Sequence, residues 1–356
     1  MTFYAIAGAG LLTVLTVSCS PAATPAAPPP ATPSAVAPTV TVSSEPARGL
    51  VTPWGLTPAP DGSALVSERD TGRILRIDVN APPVEVTRVA ETMAAGEGGL
   101  LGIAVDPTSQ WLYAYVTTAD DNRVIRMPLE DPSGPRENIL TGIPKADIHN
   151  GGRIAFGPEG DLYVATGDAG EPDSAQDLDS LAGKILRTSP DGSIPSDNPF
   201  PDSAVWSLGH RNVQGLAFDS AGRLWATEFG TNIADELNLI TPGGNYGWPA
   251  VEGTGGGTDY IDPQAQWAPT SLASPSGVAI LGDVAYVASL RGEVVWQVPL
   301  VGDRAGTPIA LDIGSLGRLR TIQAMPDWTL WLVTSNTDGR GDPRDADDRI
   351  LALTPA

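Results

Sequence analysis

The sequence predicts an all-β protein with the architecture of a six-bladed β-propeller. The main observation is a phrase that occurs six times, in which two short apolar strands are joined by a turn rich in Pro, Asp and Gly. No long segment shows the apolar period of an amphipathic helix. The 40 Gly and 34 Pro residues among 356 agree with a chain that turns divide into many short strands.

The six repeats set the number of blades. Their aligned apolar residues are Leu56, Ile103, Ile154, Leu216, Val278 and Ile322, which lie 47, 51, 62, 62 and 44 positions apart. A period of about 40 to 60 residues with a β-hairpin in each unit is typical of a propeller blade. A sandwich or barrel shows evenly spaced single strands instead. Six copies therefore predict six blades around a central channel.

The first 19 residues have the pattern of an export signal. Residues 5–17 form an apolar run that is too short to span a bilayer as a mature helix. Ser18 and Cys19 follow it and are similar to the lipobox of bacterial lipoproteins. We therefore expect residues 1–19 to be a signal peptide with Cys19 lipidated. The protein would be exported and lipid-anchored on the outer side of the cell membrane, or otherwise secreted or periplasmic.

A linker is predicted between the signal and the folded domain. Residues 20–44 consist mainly of Pro, Ala, Thr and Ser and carry no charge. Such a segment cannot bury a core, so it is expected to be disordered and to act as an extended spacer. The propeller domain is predicted over residues 45–356.

Charge and cysteine content exclude several classes of function. The net charge of −21 and the pI of about 4.3 oppose nucleic-acid binding, which needs a basic surface. Most of the carboxylates are expected to serve solubility, although a few could bind a hard cation such as Ca²⁺. Cys19 is the single cysteine, so the chain can form no internal disulfide, cysteine zinc cluster or CxxCH haem site.

Unusual polar residues fall at one edge of the repeats. A hairpin begins and ends at the same edge of its sheet, so equivalent hairpins bring these positions to one face of a propeller. Six residues lie two to six positions before their repeat anchors, namely Glu97, His149, Arg211, Asn212, Arg318 and Arg320. Three lie 13 or 14 positions after an anchor, namely Asp168, Gly230 and Arg291. One face is therefore expected to collect a histidine, several arginines, two carboxylates and an asparagine.

A purely structural interpretation of these residues stays open at this point. Arg and Asp beside β-turns are usually solvated or cap the turn. His149 precedes an Asn-Gly-Gly sequence and could be a turn residue, and His210 is expected to be structural or to support its neighbours. The coincidence on one face, which holds both histidines of the chain, favours a site.

The chemistry of such a face is specific. Converging arginines favour a multiply anionic planar ligand, because guanidinium groups bind carboxylates in bidentate fashion. A neutral histidine has the right pKa to act as a base near pH 7. Oxygen ligands for Ca²⁺ could come from one stretch, which contains Glu228, Gly230, Thr231, Asp235, Glu236 and Tyr246. These residues predict a polycarboxylate cofactor or substrate, a divalent cation and a general base.

Ordered phrases along the domain carry a resemblance to a known family. They include PWGL (53–56), GEGGLLGIAVDP (96–107), HNGGRIAFGPEGDLYVATGD (149–168), WSLGHRNVQGLAFD (206–219), DELNLITPGGNYGWP (235–249) and SNTDGRGDPRDADDRIL (335–351). Each phrase is weak by itself, but their ordered combination from about Pro53 to Leu353 resembles the glucose/sorbosone dehydrogenase group of soluble PQQ enzymes, which includes the aldose sugar dehydrogenases.

The resemblance implies a role for each candidate residue. His149 would be the catalytic base that takes the proton of the anomeric hydroxyl of a sugar, and Asp168 would orient His149 or the substrate. Arg211 would stabilise charge on PQQ. The residues implied to hold PQQ are Asn212, Arg291, Arg318, Arg320, Gly230 and Thr231. Glu97 would face the substrate. Carbonyls of Gly230 and Thr231 would bind the Ca²⁺ beside PQQ, and Glu236 and Tyr246 a second, structural Ca²⁺.

Three departures and two alternatives accompany the resemblance. Ile148 replaces a polar residue beside the base, Glu97 replaces a Gln, and Thr231 replaces a Pro, which implies a looser cation loop. These changes put glucose itself in doubt as the substrate.

The alternatives are a Ca²⁺-dependent hydrolase of lactonase type and a non-catalytic envelope lipoprotein that binds a ligand. The sequence contains no haem or iron–sulfur motif, so the electron acceptor is not encoded in this chain.

Overall fold

Six antiparallel sheets form the blades of the propeller. We describe residues 1–5 and 40–355 of a computed structural model. Blade 1 contains β2 (Pro53–Pro58), β3 (Ala64–Glu68), β4 (Arg73–Ile77) and β5 (Val84–Arg88). Blade 2 contains β6 (Leu100–Val105), β7 (Trp111–Thr117), β8 (Asn122–Pro128) and β9 (Glu137–Ile143). Blade 3 contains β10 (Ile154–Phe156), β11 (Leu162–Ala165), β12 (Lys184–Thr188) and β13 (Val205–Leu208).

The second half of the chain repeats this order. Blade 4 contains β14 (Val213–Phe218), β15 (Leu224–Glu228), β16 (Asp235–Ile240) and β17 (Ala265–Trp267). Blade 5 contains β18 (Pro275–Leu281), β19 (Val284–Ser289) and β20 (Val295–Val301), with β21 (Arg304–Ala305) and β22 (Ile309–Leu311) both paired to β20. Blade 6 contains β23 (Leu319–Ala324), β24 (Leu330–Thr334), β25 (Ile350–Pro355) and β1 (Val40–Ala47). The six-bladed propeller predicted from the repeats is confirmed.

The first strand of each repeat lines the central channel. Strands β2, β6, β10, β14, β18 and β23 contact one another in that order, and β23 returns to β2. Each repeat anchor lies in one of these six innermost strands. In the described residues the helices are two short 3-10 turns, Pro172–Gln176 and Thr270–Leu272. No helix in this part of the chain has the length and apolarity needed to cross a membrane.

Hydrophobic clusters between neighbouring blades hold the ring together. Within residues 40–355 six clusters of buried side chains occur, one for each pair of adjacent blades. Trp225 of blade 4, for example, is fully buried against Val278 and Val287 of blade 5. The core is therefore distributed around the channel, which leaves the channel free for polar groups.

The N-terminal strand closes the ring and corrects one sequence prediction. Residues 40–44, assigned to the linker, belong to β1, which pairs antiparallel with β25 from Val40 opposite Pro355 to Ala47 opposite Ile350. The alternating Val-Thr-Val of this segment suits a strand, and pairing covers an edge of β25 that would otherwise be open. Residues 6–39 lie outside the described residues; they include most of the predicted signal peptide, Cys19 and the rest of the linker.

This closure predicts a large effect of truncation. A chain that begins at residue 48 lacks β1, whereas a chain that begins at residue 40 retains it. We expect the shorter chain to melt at least about 5 °C lower and to aggregate more, because the edge of β25 is exposed. Thermal unfolding followed by circular dichroism, together with light scattering, measures both effects. Equal melting temperatures would show that β1 contributes nothing to closure.

Candidate active site

One mouth of the channel contains a cavity of about 220 Å³ with a polar wall. It is lined by Glu97, His149, Arg211, Phe229, Gly230, Thr231, Thr270, Ser274, Leu290, Arg291, Arg318 and Arg340. Six of these residues were singled out in the sequence because they precede or follow the inner hairpins, and Thr231 was named as a possible oxygen ligand of Ca²⁺. The structure brings them together for that reason: all innermost strands start at this face, and the second strands end there.

His149 and Asp168 form a hydrogen-bonded pair at the wall of this cavity. His149 Nδ1 lies 2.7 Å from Asp168 Oδ1, and the Asp168 side chain is fully buried. His149 has a φ of 56°, and its loop packs so tightly on the end of β11 that a Cβ at Gly167 would overlap the His149 carbonyl oxygen. The imidazole is therefore fixed by both its backbone and its partner.

The charge of Asp168 determines the tautomer of the imidazole. Burial raises the pKa of Asp168, but the hydrogen bond and charge of His149, the N–H of Gly170 and the indole N–H of Trp248 lower it further, to a net value below the usual range. Because Asp168 stays ionised, Nδ1 of the neutral imidazole carries the proton. Nε2 is then left with a lone pair that can accept a proton.

Glu97 connects the backbone of His149 to an arginine that the sequence analysis did not select. Its Oε2 accepts a hydrogen bond from the backbone N–H of His149 at 2.8 Å, and its Oε1 accepts one from Nη1 of Arg340 at 3.0 Å. Burial raises the pKa of Glu97, but these two partners outweigh it and hold the pKa below the usual range. Glu97 is therefore a fixed anion at the mouth of the cavity, beside the half-exposed Arg340.

Arg211 and Asn212 present buried nitrogens without protein partners. Arg211 donates from Nη1 to the carbonyls of Phe229 and Gly230, at 3.2 and 2.9 Å, and its guanidinium lies 5.4 Å from the ring centre of Trp248. Asn212 accepts the N–H of Gly151 at 3.0 Å. Among the described residues, Nε of Arg211 and Nδ2 of Asn212 are buried and make no hydrogen bond. Buried donors of this kind usually have a partner, so they are consistent with a ligand.

Arg318 and Arg320 share one carboxylate, that of Asp338. Arg318 donates to Asp338 Oδ2 from Nε and Nη2, at 3.1 and 3.0 Å, and Arg320 Nη2 lies 3.4 Å from the same oxygen. Arg320 lies deeper than Arg318, in a small adjoining cavity, and bonds Gln214 Oε1 at 2.7 Å. Arg291 is exposed at the rim. The cluster therefore keeps an excess of positive charge that a ligand with several carboxylates would neutralise.

The loop of Gly230 and Thr231 is held firmly, contrary to the looseness expected from the absence of a proline. Glu252 Oε1 accepts the backbone N–H groups of residues 231, 232, 233 and 234, at 2.7 to 3.1 Å. Asp235 Oδ1 accepts the N–H of Gly230 at 2.9 Å. Two carboxylates therefore replace the rigidity of a proline ring, and Gly230 and Thr231 line the cavity.

This anchoring can be tested by removing the Glu252 carboxylate. In Glu252→Ala we expect amide hydrogen exchange across residues 231–234 to become at least about tenfold faster, because four N–H groups lose their acceptor. Glu252→Gln, which keeps an acceptor oxygen, is the matched control and should exchange more slowly than the alanine variant. Identical exchange rates in the wild type and both variants would show that Glu252 does not hold the loop.

Glu236 and Tyr246, predicted as ligands of a second cation, lie in a separate cavity of about 10 Å³. Glu236 is buried opposite Glu228, its partner across the β15–β16 pair, and burial followed by the Glu228 charge raises its pKa to about 8. The Tyr246 hydroxyl is already committed to Leu239 O and Thr241 N. In residues 1–5 and 40–355 no group of three or more His, Cys, Asp or Glu side chains is placed to hold a metal. Any cation here would need backbone carbonyls as well.

His210 is a structural residue, as expected. Its ring is fully buried, with Nδ1 2.9 Å from Glu228 Oε2, Nε2 2.8 Å from Ser207 Oγ, and a stacking contact with Tyr246. Both ring nitrogens are occupied, so His210 has no free atom to offer a substrate.

Four residues of the site were not predicted from the sequence. Trp248 donates a hydrogen bond to Asp168 and its ring lies near the guanidinium of Arg211. Asp338 and Gln214 accept hydrogen bonds from the arginine cluster. Arg340 pairs with Glu97. Asp338 and Arg340 follow the second strand of the sixth hairpin, but they lie beyond the 13 or 14 positions after an anchor at which Asp168 was identified. A wider window after the second strand would have found them. Trp248 lies in a long β16–β17 loop, for which the repeat gives no signal.

Comparison with known proteins agrees with this geometry. The sequence model of the family described as Glucose / Sorbosone dehydrogenase matches residues 50–343. The chain belongs to the glucose/sorbosone dehydrogenase family. It is 28% identical over 334 residues to the aldose sugar dehydrogenase of Escherichia coli strain K12, across 81% of this chain and 88% of that protein. It is 36% identical over 245 residues to quinoprotein glucose dehydrogenase B of Acinetobacter calcoaceticus, across 56% of this chain and half of that protein.

A solved structure shows the same fold at higher identity. The PQQ-bound form of the aldose sugar dehydrogenase from Streptomyces coelicolor has 50% sequence identity and a TM-score of 0.86, and the match covers 89% of this chain and 99% of that one. The resemblance noted in the sequence is thereby confirmed. This member of the family is an oxidoreductase of the sugar dehydrogenase class.

Proposed function

We propose that the protein oxidises an aldose at C1 to its lactone with PQQ as cofactor and Ca²⁺ as a required cation. The observation that carries the proposal is one channel-mouth cavity that combines the His149–Asp168 pair with Arg211, Arg291 and Arg318. A base with a free lone pair and a set of cations for a polyanion are the two things this reaction needs.

The residues present fit PQQ. The ligand is planar and carries three carboxylates, and the cavity offers the guanidinium groups of Arg291 and Arg318 at its wall, with Arg320 beneath. The unpartnered buried Nδ2 of Asn212 and Nε of Arg211 would gain acceptors. When bound, PQQ supplies the acceptor for the hydride that leaves C1 of the sugar.

The chain's own residues supply the proton transfer. His149 Nε2 takes the proton of the C1 hydroxyl as the C1–H bond breaks, and the lactone carbonyl forms at C1. Asp168 is already ionised and 2.7 Å from Nδ1, so it stabilises the imidazolium that this step produces. Arg211 is fixed by two carbonyls and Trp248, and its positive charge would stabilise negative charge on the bound PQQ.

Calcium would be held by the Gly230–Thr231 loop, and a second ion by the Glu236 region. Gly230 and Thr231 line the cavity, in a loop that Glu252 and Asp235 keep ordered. At the second position, Glu228 and Glu236 face each other, and the raised pKa of Glu236 reflects their repulsion as well as burial. A divalent cation there, with Glu236 and the Tyr246 carbonyl among its ligands, would relieve that repulsion.

The substrate side of the site differs from a simple glucose pocket. Glu97 is an anion, Arg340 is a cation paired with it, and Ile148 is exposed on the loop of the base. An aldose hydroxyl can donate to Glu97 and accept from Arg340. We propose that this pair orients the sugar and that Ile148 provides an apolar contact, which makes an aldose other than glucose a suitable substrate.

The function is tested with the chain that begins at residue 40, which retains β1. PQQ binding is measured by fluorescence quenching with and without Ca²⁺, and reduction of an artificial dye is then followed with a panel of aldoses. We expect Ca²⁺-dependent binding and sugar-dependent dye reduction. Lactone hydrolysis without PQQ would favour a hydrolase, and absence of PQQ binding at micromolar concentration would favour a ligand-binding lipoprotein.

Export and anchoring through Cys19 are a separate part of the proposal. They are supported by the apolar run at 5–17 and by the position of Cys19 after it. We expect radiolabelled palmitate to be incorporated into the wild type and not into Cys19→Ser, with the wild type in the membrane fraction. If Cys19→Ser is found in the membrane fraction although it carries no label, the lipid anchor is contradicted.

The electron acceptor would be a separate protein or a small diffusible molecule.

A further inference from the structure

A layer of side chains, those of Trp54, Arg153 and Arg320, divides the channel below the candidate active site, and we call it the arginine layer. Trp54, Gln214 and Arg320 line the small cavity on the active-site side of this layer. A second cavity of about 350 Å³ is lined by later residues of all six innermost strands, from Leu56 in blade 1 to Ala324 in blade 6. Because the innermost strands are equivalent in direction, these later residues lie towards the opposite mouth of the propeller.

Arg153 crosses the channel within this layer and forms part of the wall of the larger cavity. It donates from Nε to the Gln214 carbonyl and from Nη2 to Thr321 Oγ1, both at 2.8 Å, and it lies 4.3 Å from the ring centre of Trp54. These three contacts join blade 3 to blades 4, 6 and 1. The remaining nitrogen, Nη1, has no hydrogen-bond partner among residues 1–5 and 40–355.

The charge of Arg153 is not neutralised by a carboxylate in the described part of the chain. Its residue is 7% exposed, and none of the ion pairs formed within residues 40–355 includes it. Burial, followed by the charge of another cation, Arg320, lowers the pKa of Arg153 to about 9. An isolated buried charge is costly, so buried cations normally have a counterion.

The larger cavity has the composition of an anion site. Arg153 is the single charged residue of its wall, and the other polar side chains are those of Thr57 and Gln323. Each innermost strand pairs with its sheet on one side, so backbone N–H groups of the free edges face the channel. In a protein with a net charge of −21, this wall without carboxylates is a local positive region.

We propose that the channel below the arginine layer binds a small inorganic anion, of halide or phosphate type, on the guanidinium of Arg153. The anion would accept from Nη1 and from backbone N–H groups of the innermost strands, and it would complete the cross-channel tie among four blades. This site lies on the other side of the layer from His149, so the inference does not depend on the proposed function.

The direct test is a crystal of the chain from residue 40 soaked in bromide and measured at the bromine absorption edge. We expect an anomalous peak in the channel within hydrogen-bonding distance of Arg153 Nη1. A channel that contains only water next to Arg153 in bromide, sulfate and phosphate soaks alike, in crystals that show these anions elsewhere, would overturn the proposal. Soaks in sulfate and phosphate then distinguish a halide site from an oxyanion site.

A solution measurement with matched variants tests the same site. At constant ionic strength, replacing gluconate by chloride or phosphate should raise the melting temperature of the wild type by about 2–4 °C. Arg153→Gln should lose this increment. Arg153→Lys keeps the positive charge and should retain part of the increment, and it serves as the test variant if Arg153→Gln does not fold. Arg126→Gln is the control, because Arg126 lies at the same 4.3 Å from a tryptophan ring, that of Trp111, but pairs with Glu137. An equal increment in the wild type and Arg153→Gln would contradict the site.

Discussion

Replacing His149 should lower the turnover number by at least about 100-fold, since positioned general bases contribute about that much or more. The reason is geometric: Nε2 is the free nitrogen of an imidazole whose Nδ1 is committed to Asp168. His149→Ala and His149→Asn are both useful, because residue 149 has a φ of 56° and asparagine tolerates that conformation better than alanine. Steady-state dye reduction with the PQQ-loaded enzyme measures the loss.

Two further measurements distinguish a catalytic base from a structural residue. PQQ affinity should change little in His149→Asn, and added imidazole should restore part of the turnover of His149→Ala, in which the space of the side chain is free. His210→Asn offers the contrast, since His210 is buried between Ser207 and Glu228 and its replacement should lower the melting temperature. Turnover that is undiminished in both His149 variants would exclude His149 as the base.

Replacing Arg318 by alanine should weaken PQQ binding by about 10- to 100-fold, the usual range for hydrogen bonds to charged groups. Arg318 lines the cavity, is buried, and is held by Asp338 with its guanidinium already in place. The expected loss is therefore one of affinity, with a smaller effect on turnover at saturating PQQ. Fluorescence titration with PQQ in the presence of Ca²⁺ gives the dissociation constants.

The control for Arg318→Ala is Arg344→Ala. Arg344 belongs to the same blade and its loss changes the net charge by the same amount, but it is exposed and bonds Ser315 outside the cavity. The Arg344→Ala variant should have the same dissociation constant for PQQ as the wild type. If both variants bind PQQ as tightly as the wild type, the arginine cluster is not the cofactor pocket.

Much of the site followed from the sequence because a hairpin is local. Residues just before β10 and just after β11 must meet, so the proximity of His149 and Asp168 follows from a separation of 19 positions. The same rule placed Glu97, Arg211, Gly230, Arg291 and Arg318 at one mouth of the channel. Their roles in binding and catalysis remain predictions that the experiments above test.

Contacts between distant blades could not be obtained in this way. The sequence assigned Val40–Ser44 to a linker, because nothing near them indicates that their partner is β25 at the other end of the chain. It implied a loose loop at Thr231, because the stabilising Glu252 is 21 residues away in an irregular segment. It gave no role to Arg153, whose partner Thr321 is 168 positions distant.

The sequence by itself determined the number of blades, the strand alternation and the face on which the reactive residues gather, since these follow from repeat length and hairpin geometry. Only the tertiary structure decided how the ring closes, which carboxylate holds each arginine and where the channel is divided. Those features depend on pairings across the ring, in which the specificity comes from complementary charge and packing of residues that no local pattern connects.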